Sequence, residues 1–225
     1  MHPLTHSAIH PDLSGTWALM IGFGAYHGLN PGMGWLFALA LGLQQKSERA
    51  IWLSLAPISI GHAVSIVMVA ALVLVAGHLV STSTLRIATA AALIGFGVVK
   101  LFTYYRHPRW VGMRVGMRDL FFWSFLMAAA HGAGLMVAPT LLEISAAVGE
   151  GGAGLASGAG VMMAVGLHTL AMLAVMAIVA LIVYRKLGLK ILRQGWINFD
   201  LIWAVALLVV GAMALWLAYT NTAQT

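Results

Sequence analysis

The chain has 225 residues, of which 61% are hydrophobic and 8% are charged, and its mean hydropathy is +0.94. These values exclude a soluble globular protein and are typical of a polytopic membrane protein, whose main partner is the lipid bilayer. The formal net charge is +6; because the basic residues lie between apolar runs, membrane orientation explains them and no nucleic-acid partner is expected. The absence of cysteine excludes thiol redox chemistry, disulfides and iron–sulfur ligation.

Apolar segments of spanning length follow one another along the whole chain after a polar opening. The opening contains His2, His6 and His10; we expect a solvated terminus there, with metal capture as the alternative. A transmembrane helix needs about 20 apolar residues. Segments of that length lie at about 14–43, 51–77, 84–105, 120–146, 159–183 and 199–219. The sequence therefore predicts an all-α polytopic membrane protein with six transmembrane helices in a single membrane domain, residues 1–225.

Basic residues are concentrated in alternate connections between these segments. Ten of them fall in the first, third and fifth connections: Lys46, Arg49, Arg106, Arg109, Arg114, Arg118, Arg185, Lys186, Lys190 and Arg193. Only Arg86 lies on the opposite side. By the positive-inside rule, the odd-numbered connections are cytoplasmic and both termini lie outside. We expect an integral protein of a bacterial inner (plasma) membrane.

The first segment is interrupted at its centre by His-Gly-Leu-Asn-Pro-Gly-Met-Gly, residues His27–Gly34. Pro31 removes a backbone donor, and the neighbouring glycines weaken the helix further. In hydrocarbon, irregular backbone survives only where it is buried against protein or lines a wet cavity. The sequence therefore predicts a broken helix, with Asn30 and Pro31 lining a substrate pathway.

Four histidines divide the chain into two similar halves. His27 and His62 are 35 residues apart, and His131 and His168 are 37 residues apart. A three-helix unit used twice must enter the membrane from opposite sides, as in the inverted repeats of secondary transporters. We expect repeat 1 at about 14–105 and repeat 2 at about 120–219.

All four histidines fall inside apolar segments, where a polar side chain is expected to face the interior of the bundle. Imidazole is a common ligand for Zn, Cu, Ni and Co. We therefore predict that the four are metal ligands or proton relays, with packed structural histidines as the alternative. Glu143 is the only acidic residue near such a pathway, which disfavours Mg²⁺ and Ca²⁺ because those ions need several oxygen ligands.

Met33, Ser65 and Met136 are further predicted residues of the substrate pathway, together with Asn30 and Pro31. Met33 and Met136 are candidate soft donors for copper, or core filler. Ser59 and Ser65 lie one turn on either side of His62. Each serine either orients the imidazole or bonds back to its own helix.

The segment His27–Gly34, followed by Gly-His-Ala-Val-Ser at Gly61–Ser65, resembles the nickel/cobalt efflux permease family. That family belongs to the lysine-exporter superfamily, together with urease-accessory membrane proteins. The resemblance implies a fold of three plus three helices, transport of a transition-metal ion, and metal contacts from His27 and His62. Asn30 and Met33 replace an acidic residue and a histidine of the family, which implies a neutral, softer site.

The first functional hypothesis is a transition-metal permease with a histidine-lined site near the membrane midplane, coupled to an ion gradient. The ion would be substrate, and no resident cofactor is predicted. One alternative is a non-transporting membrane subunit that binds haem or delivers a metal; another is an exporter of a small organic solute. No nucleotide loop or catalytic motif is found, so neither an enzyme nor catalytic residues are expected. A homo-oligomer is left open.

Overall fold

A computed structural model describes residues 13–77, 79–103, 116–149, 155–187 and 199–222. These residues form helices joined by turns, without a strand among them. The α-helices are α1 (Leu13–Leu29), α2 (Trp35–Gln45), α3 (Glu48–Gly77), α4 (Thr82–Thr103), α5 (Met117–Ala130), α6 (Ala133–Gly149), α7 (Leu155–Ile182) and α8 (Phe199–Thr222). A 3-10 turn, Pro31–Met33, separates α1 from α2, and a π-helical turn, Val183–Leu187, extends α7.

Four helical stretches in the described ranges are long and apolar enough to cross a membrane. They are Glu48–Gly77, Ser83–Phe102, Gly158–Lys186 and Leu201–Thr220. A fifth span results if α5 and α6, between which the helix axis bends by 68°, are counted as one broken helix. Large apolar side chains on the outside of the bundle, such as Leu72 at 68% exposure and Phe102 at 84%, suit contact with lipid. The described part of the chain is thus all-helical, and its long apolar helices are those of an integral membrane protein.

Glycines allow three pairs of helices to pack closely. The most extensive contacts join α1 with α7, α3 with α5, and α4 with α8. A Cβ atom at Gly24 of α1 would overlap the carbonyl oxygen of His168 in α7, and one at Gly61 of α3 would overlap that of Phe121 in α5. In lipid, such close backbone approach through small residues is a main source of helix association.

The first predicted break is confirmed and a second break is found. Asn30 ends α1, and its side-chain Oδ1 accepts a hydrogen bond of 2.9 Å from the backbone N–H of Gly32. Gly34 has φ of +131°, and Gly132, between α5 and α6, has φ of +69°; glycine adopts such angles without steric cost. The sequence reasoning treated 120–146 as one continuous helix, and missed the second break because a single glycine produces it.

Each break frees a carbonyl group, and a tryptophan satisfies it. Trp35 donates from Nε1 to the carbonyl oxygen of Leu29 (3.1 Å), and Trp203 donates from Nε1 to that of His131 (2.5 Å). A buried carbonyl without a partner is costly in hydrocarbon. These two indoles therefore stabilise the broken helices inside the bundle.

An ion pair lies at each end of the bundle. At one end, Arg185 of α7 donates from Nε and Nη2 to the two carboxylate oxygens of Glu48 in α3, at 2.7 and 2.6 Å. At the other end, Arg86 of α4 lies 2.9 Å from Glu143 of α6. We call these the Glu48 end and the Arg86 end.

Some sequence predictions fall on residues outside the described ranges. They concern the terminal histidines and part of the basic connections: His2, His6, His10, Arg106, Arg109, Arg114, Lys190 and Arg193.

Candidate metal centre

Three of the four predicted histidines meet in the interior of the bundle. One ring nitrogen each from His27, His62 and His168 lies within 4.8 Å of the other two, and all three side chains are fully buried. His62 and His168 lie halfway along α3 and α7, and His27 lies in the last turn of α1. We call this group the histidine centre.

Backbone carbonyls orient two of the three rings. His27 donates from Nδ1 to the carbonyl oxygen of Phe23 (2.6 Å), and His168 donates from Nδ1 to that of Met20 (3.2 Å). A carbonyl only accepts, so in a neutral ring the other nitrogen, Nε2, carries the lone pair. An Nδ1–H bond to a carbonyl is the usual support of a histidine that binds metal through Nε2.

The third ring, that of His62, lies parallel to His168. The interplanar angle is 3°, and the two Nε2 atoms are 3.4 Å apart. Since Nε2 of His168 carries a lone pair, Nε2 of a neutral His62 donates to it. Metal binding through Nε2 of His62 then requires the proton to move to Nδ1, which is buried and has no hydrogen-bond partner among the described residues.

The nitrogen spacing is close to that of a metal site. At a Zn–N bond length of about 2.0–2.1 Å, two ligands of a tetrahedral site are about 3.4 Å apart, and the Nε2 atoms of His62 and His168 have this separation. Nε2 of His27 is buried without a hydrogen-bond partner in the described part of the chain. Since the three ligand nitrogens lie within 4.8 Å of one another, ring shifts of no more than about 1.4 Å would close a three-nitrogen site with an open fourth position.

His131 lies outside this centre. Its Nδ1 donates to the carbonyl oxygen of Met127 (2.9 Å), which repeats the local arrangement of His27. The Trp203 ring contacts both, with centroids 4.7 Å from His27 and 5.5 Å from His131. The four predicted ligands thus divide into a group of three and one histidine linked to it through Trp203.

The other predicted residues support the backbone or the packing. Met33 and Met136 are buried in one apolar cluster with Trp203. The Oδ1 of Asn30 caps the turn that begins with Pro31.

The two serines beside His62 are both buried. Ser59 donates to the carbonyl oxygens of Leu55 and Ala56 (2.9 and 3.0 Å). It therefore bonds back to its own helix, which was the second of the two roles predicted for it. Ser65 lies three residues beyond His62 on α3.

Sequence reasoning missed Trp203 and Phe23. Trp203 carries a signal that could have found it, because an indole N–H inside an apolar segment needs a hydrogen-bond partner. Phe23 contributes its backbone carbonyl oxygen. Every residue type carries this group, so no sequence signal identifies Phe23.

No family model matches the chain, and no curated protein or solved structure matches it either. The fold and the centre define its class: an all-helical integral membrane protein with three convergent, buried histidines.

Proposed function

We propose that this protein is a permease for a transition-metal ion, which binds at the histidine centre during its passage through the membrane. The observation that carries the proposal is the convergence of three buried imidazoles, with the Nε2 of His27 lacking a hydrogen-bond partner among the described residues. A buried polar atom without a partner is costly, and a metal ion removes that cost. Neutral imidazole suits Ni, Co, Cu and Zn.

The composition of the centre favours a transported ion over a resident one. No carboxylate belongs to the group of described ligands, so the charge of a divalent ion is not neutralised in a medium of low dielectric constant. Such an ion is held less firmly than in a site with anionic ligands. An ion gradient is the proposed source of coupling, with histidine protonation as the device.

The packing of the helices supports an inverted repeat of six spans. In this proposal, α1 with α2 forms the first span, and α5 with α6 forms the fourth. The extensive contact of α1 with α7 then corresponds to that of α5 with α3, and α4 pairs with its counterpart α8. His27 corresponds to His131, with the same Nδ1 bond to the carbonyl four residues earlier.

The distribution of charge supports the proposed orientation. The basic residues Lys46, Arg49, Arg185 and Lys186 lie at or near helix termini of the Glu48 end. In the positive-inside reading this end is cytoplasmic. The Arg86 end and both termini then lie outside, in a bacterial inner membrane.

Elemental analysis and a visible spectrum of the detergent-purified protein test the proposal. After incubation with Ni²⁺, Co²⁺, Cu²⁺ or Zn²⁺, we expect about one bound ion per chain and loss of that ion when His27, His62 and His168 are all replaced by alanine. Transport into proteoliposomes by the wild-type protein, and not by this variant, is the second expected result. A chain that binds none of the four ions would contradict the proposal and favour an organic solute.

A haem band in the same spectrum would support the cofactor-binding alternative. Bis-imidazole ligation places a porphyrin between two histidine rings. The centroid of the His27 ring lies 5.3 Å from that of His62 and 4.9 Å from that of His168. It therefore occupies space that a porphyrin would need, and we expect no haem band.

A further inference from the structure

A cavity of about 480 Å³ opens at the Arg86 end of the bundle, enclosed by α1, α4, α6 and α8. Its lining includes Leu19 and Phe23 of α1, Arg86 of α4, and Thr140 and Glu143 of α6. Neither the predicted pathway residues nor the histidine centre belongs to this lining.

The cavity and the histidine centre share one face of α1. Leu19, Phe23 and His27 follow one another at intervals of four residues, so they share one face of α1. The first two line the cavity, and the carbonyl of Phe23 orients the ring of His27. Phe23 also packs against the apolar cluster of Met33, Met136 and Trp203, so the Phe23 side chain forms the floor of the cavity on this face of α1.

The volume of the cavity suits a hydrated metal ion, and five polar side chains lie in its otherwise apolar lining: Thr16, Arg86, Thr89, Thr140 and Glu143. A water molecule occupies about 30 Å³ of liquid volume, so an ion with six waters needs roughly 180 Å³, well below the volume of the cavity. Glu143 is the one carboxylate of the lining, and 38% of its side chain is exposed although it lies 2.9 Å from Arg86. A cation that enters can therefore compete with Arg86 for Glu143.

The Glu48 end is closed by contrast. An apolar cluster from α2, α3, α5 and α7 fills the space between the centre and that end, with Leu39, Ile51 and Met176 among its fully buried members. Beyond this cluster, at the end of the bundle, the bidentate contact between Arg185 and Glu48 joins α7 to α3.

We propose that the cavity is the vestibule through which the hydrated ion reaches the histidine centre, and that Glu143 is the residue that binds the ion first. This inference rests on the proposed function. The ion loses its water at the floor, where Phe23 and its neighbours must move to admit it, and then receives imidazole ligands below.

The absence of native cysteine allows the vestibule to be tested with single cysteines. Leu19 is 48% exposed and lines the cavity; Ile21, two residues further along α1, is 46% exposed and is not part of the lining. The two positions differ in height by only about 3 Å. In proteoliposomes we expect a charged, membrane-impermeant maleimide to label Leu19→Cys and to leave Ile21→Cys unmodified, because lipid covers the second position.

Labelling of Leu19→Cys should also close the route. We expect it to slow Co²⁺ loading of the centre by on the order of tenfold or more, as a plug in a narrow pore does, while Co²⁺ bound before labelling is retained. Met213→Cys, which lines the cavity from α8 at 54% exposure, repeats the test on a second helix. Equal labelling of Leu19→Cys and Ile21→Cys, or unchanged loading after labelling, would overturn the vestibule.

Glu143→Gln tests the first binding step, with Glu48→Gln at the opposite end as the matched control. Removal of Glu143 leaves the charge of Arg86 uncompensated at the mouth, so we expect the rate of Co²⁺ loading of the centre to fall roughly tenfold, with the final amount bound unchanged. Equal effects of the two variants would contradict a role for Glu143. If the unmodified protein binds no metal at all, the proposed function itself is overturned. The labelling experiment tests only the vestibule, so the two failures can be told apart.

Discussion

Replacement of His168 by alanine is expected to abolish stoichiometric metal binding and to leave the helices folded. His168 supplies one nitrogen of the pair whose Nε2 atoms are 3.4 Å apart, and its loss leaves His62 without that partner. Removal of one of three ligands from a metal site lowers affinity by more than the 10- to 100-fold typical of losing an outer hydrogen-bond partner. Equilibrium titration with Co²⁺, followed by the visible spectrum, measures this directly.

His131→Ala is the matched control for that experiment. His131 is also a buried histidine of the bundle, and it contacts Trp203, but it is not one of the three convergent ligands. We expect this variant to bind Co²⁺ with nearly wild-type affinity. Equal loss of binding in His131→Ala and His168→Ala would contradict the three-histidine centre and restore the four-ligand site predicted from the sequence.

Acidification should mimic the His168 variant in a reversible way. Each imidazole binds metal only as the neutral ring, so protons compete with the ion for Nε2. We expect the Co²⁺ affinity of the wild-type protein to fall as the pH is lowered and to recover when it is raised. The same competition is what would allow a proton gradient to drive release.

The sequence predicted the membrane class, the helical fold and the first helix break for clear physical reasons. Apolar runs of spanning length leave the backbone no alternative to a helix in lipid. Pro31, with glycines at positions 28, 32 and 34, disturbs the first helix locally. The second break depends on the positive φ of Gly132 alone. Because glycine occurs 25 times in the chain, one glycine carries too little information to identify a break.

The candidate site was predictable in composition and not in arrangement. Four histidines inside apolar segments indicated a polar interior, since their imidazoles could not face lipid. Which three converge depends on the crossing of α1, α3 and α7 and on Trp203, whose ring lies against both His27 and His131. Such contacts join residues far apart in the chain, and the spacing of histidines along it does not specify them.

Gly24→Ala is expected to damage both the fold and the centre, although the change adds a single methyl group. A Cβ atom at Gly24 would overlap the carbonyl oxygen of His168 and lie 3.0 Å from the Cβ of Ala171. A backbone oxygen cannot turn aside as a side chain can, so α1 and α7 must separate. Overpacking of this kind costs about 1–3 kcal/mol. Separation would also lengthen the 3.2 Å bond from His168 Nδ1 to Met20, which comes from the opposing helix.

Gly22→Ala isolates the cause, because a Cβ atom at Gly22 meets no other atom within 4 Å. Both glycines lie inside α1, so the intrinsic gain in helix propensity, about 0.5–1 kcal/mol, is common to the two variants. Thermal unfolding in detergent should show Gly22→Ala at or above the wild-type midpoint and Gly24→Ala well below it. Co²⁺ affinity should fall only in Gly24→Ala. Two variants of equal stability would mean that α1 and α7 do not approach at Gly24, and the position of His168 beside His27 would then lose its structural basis.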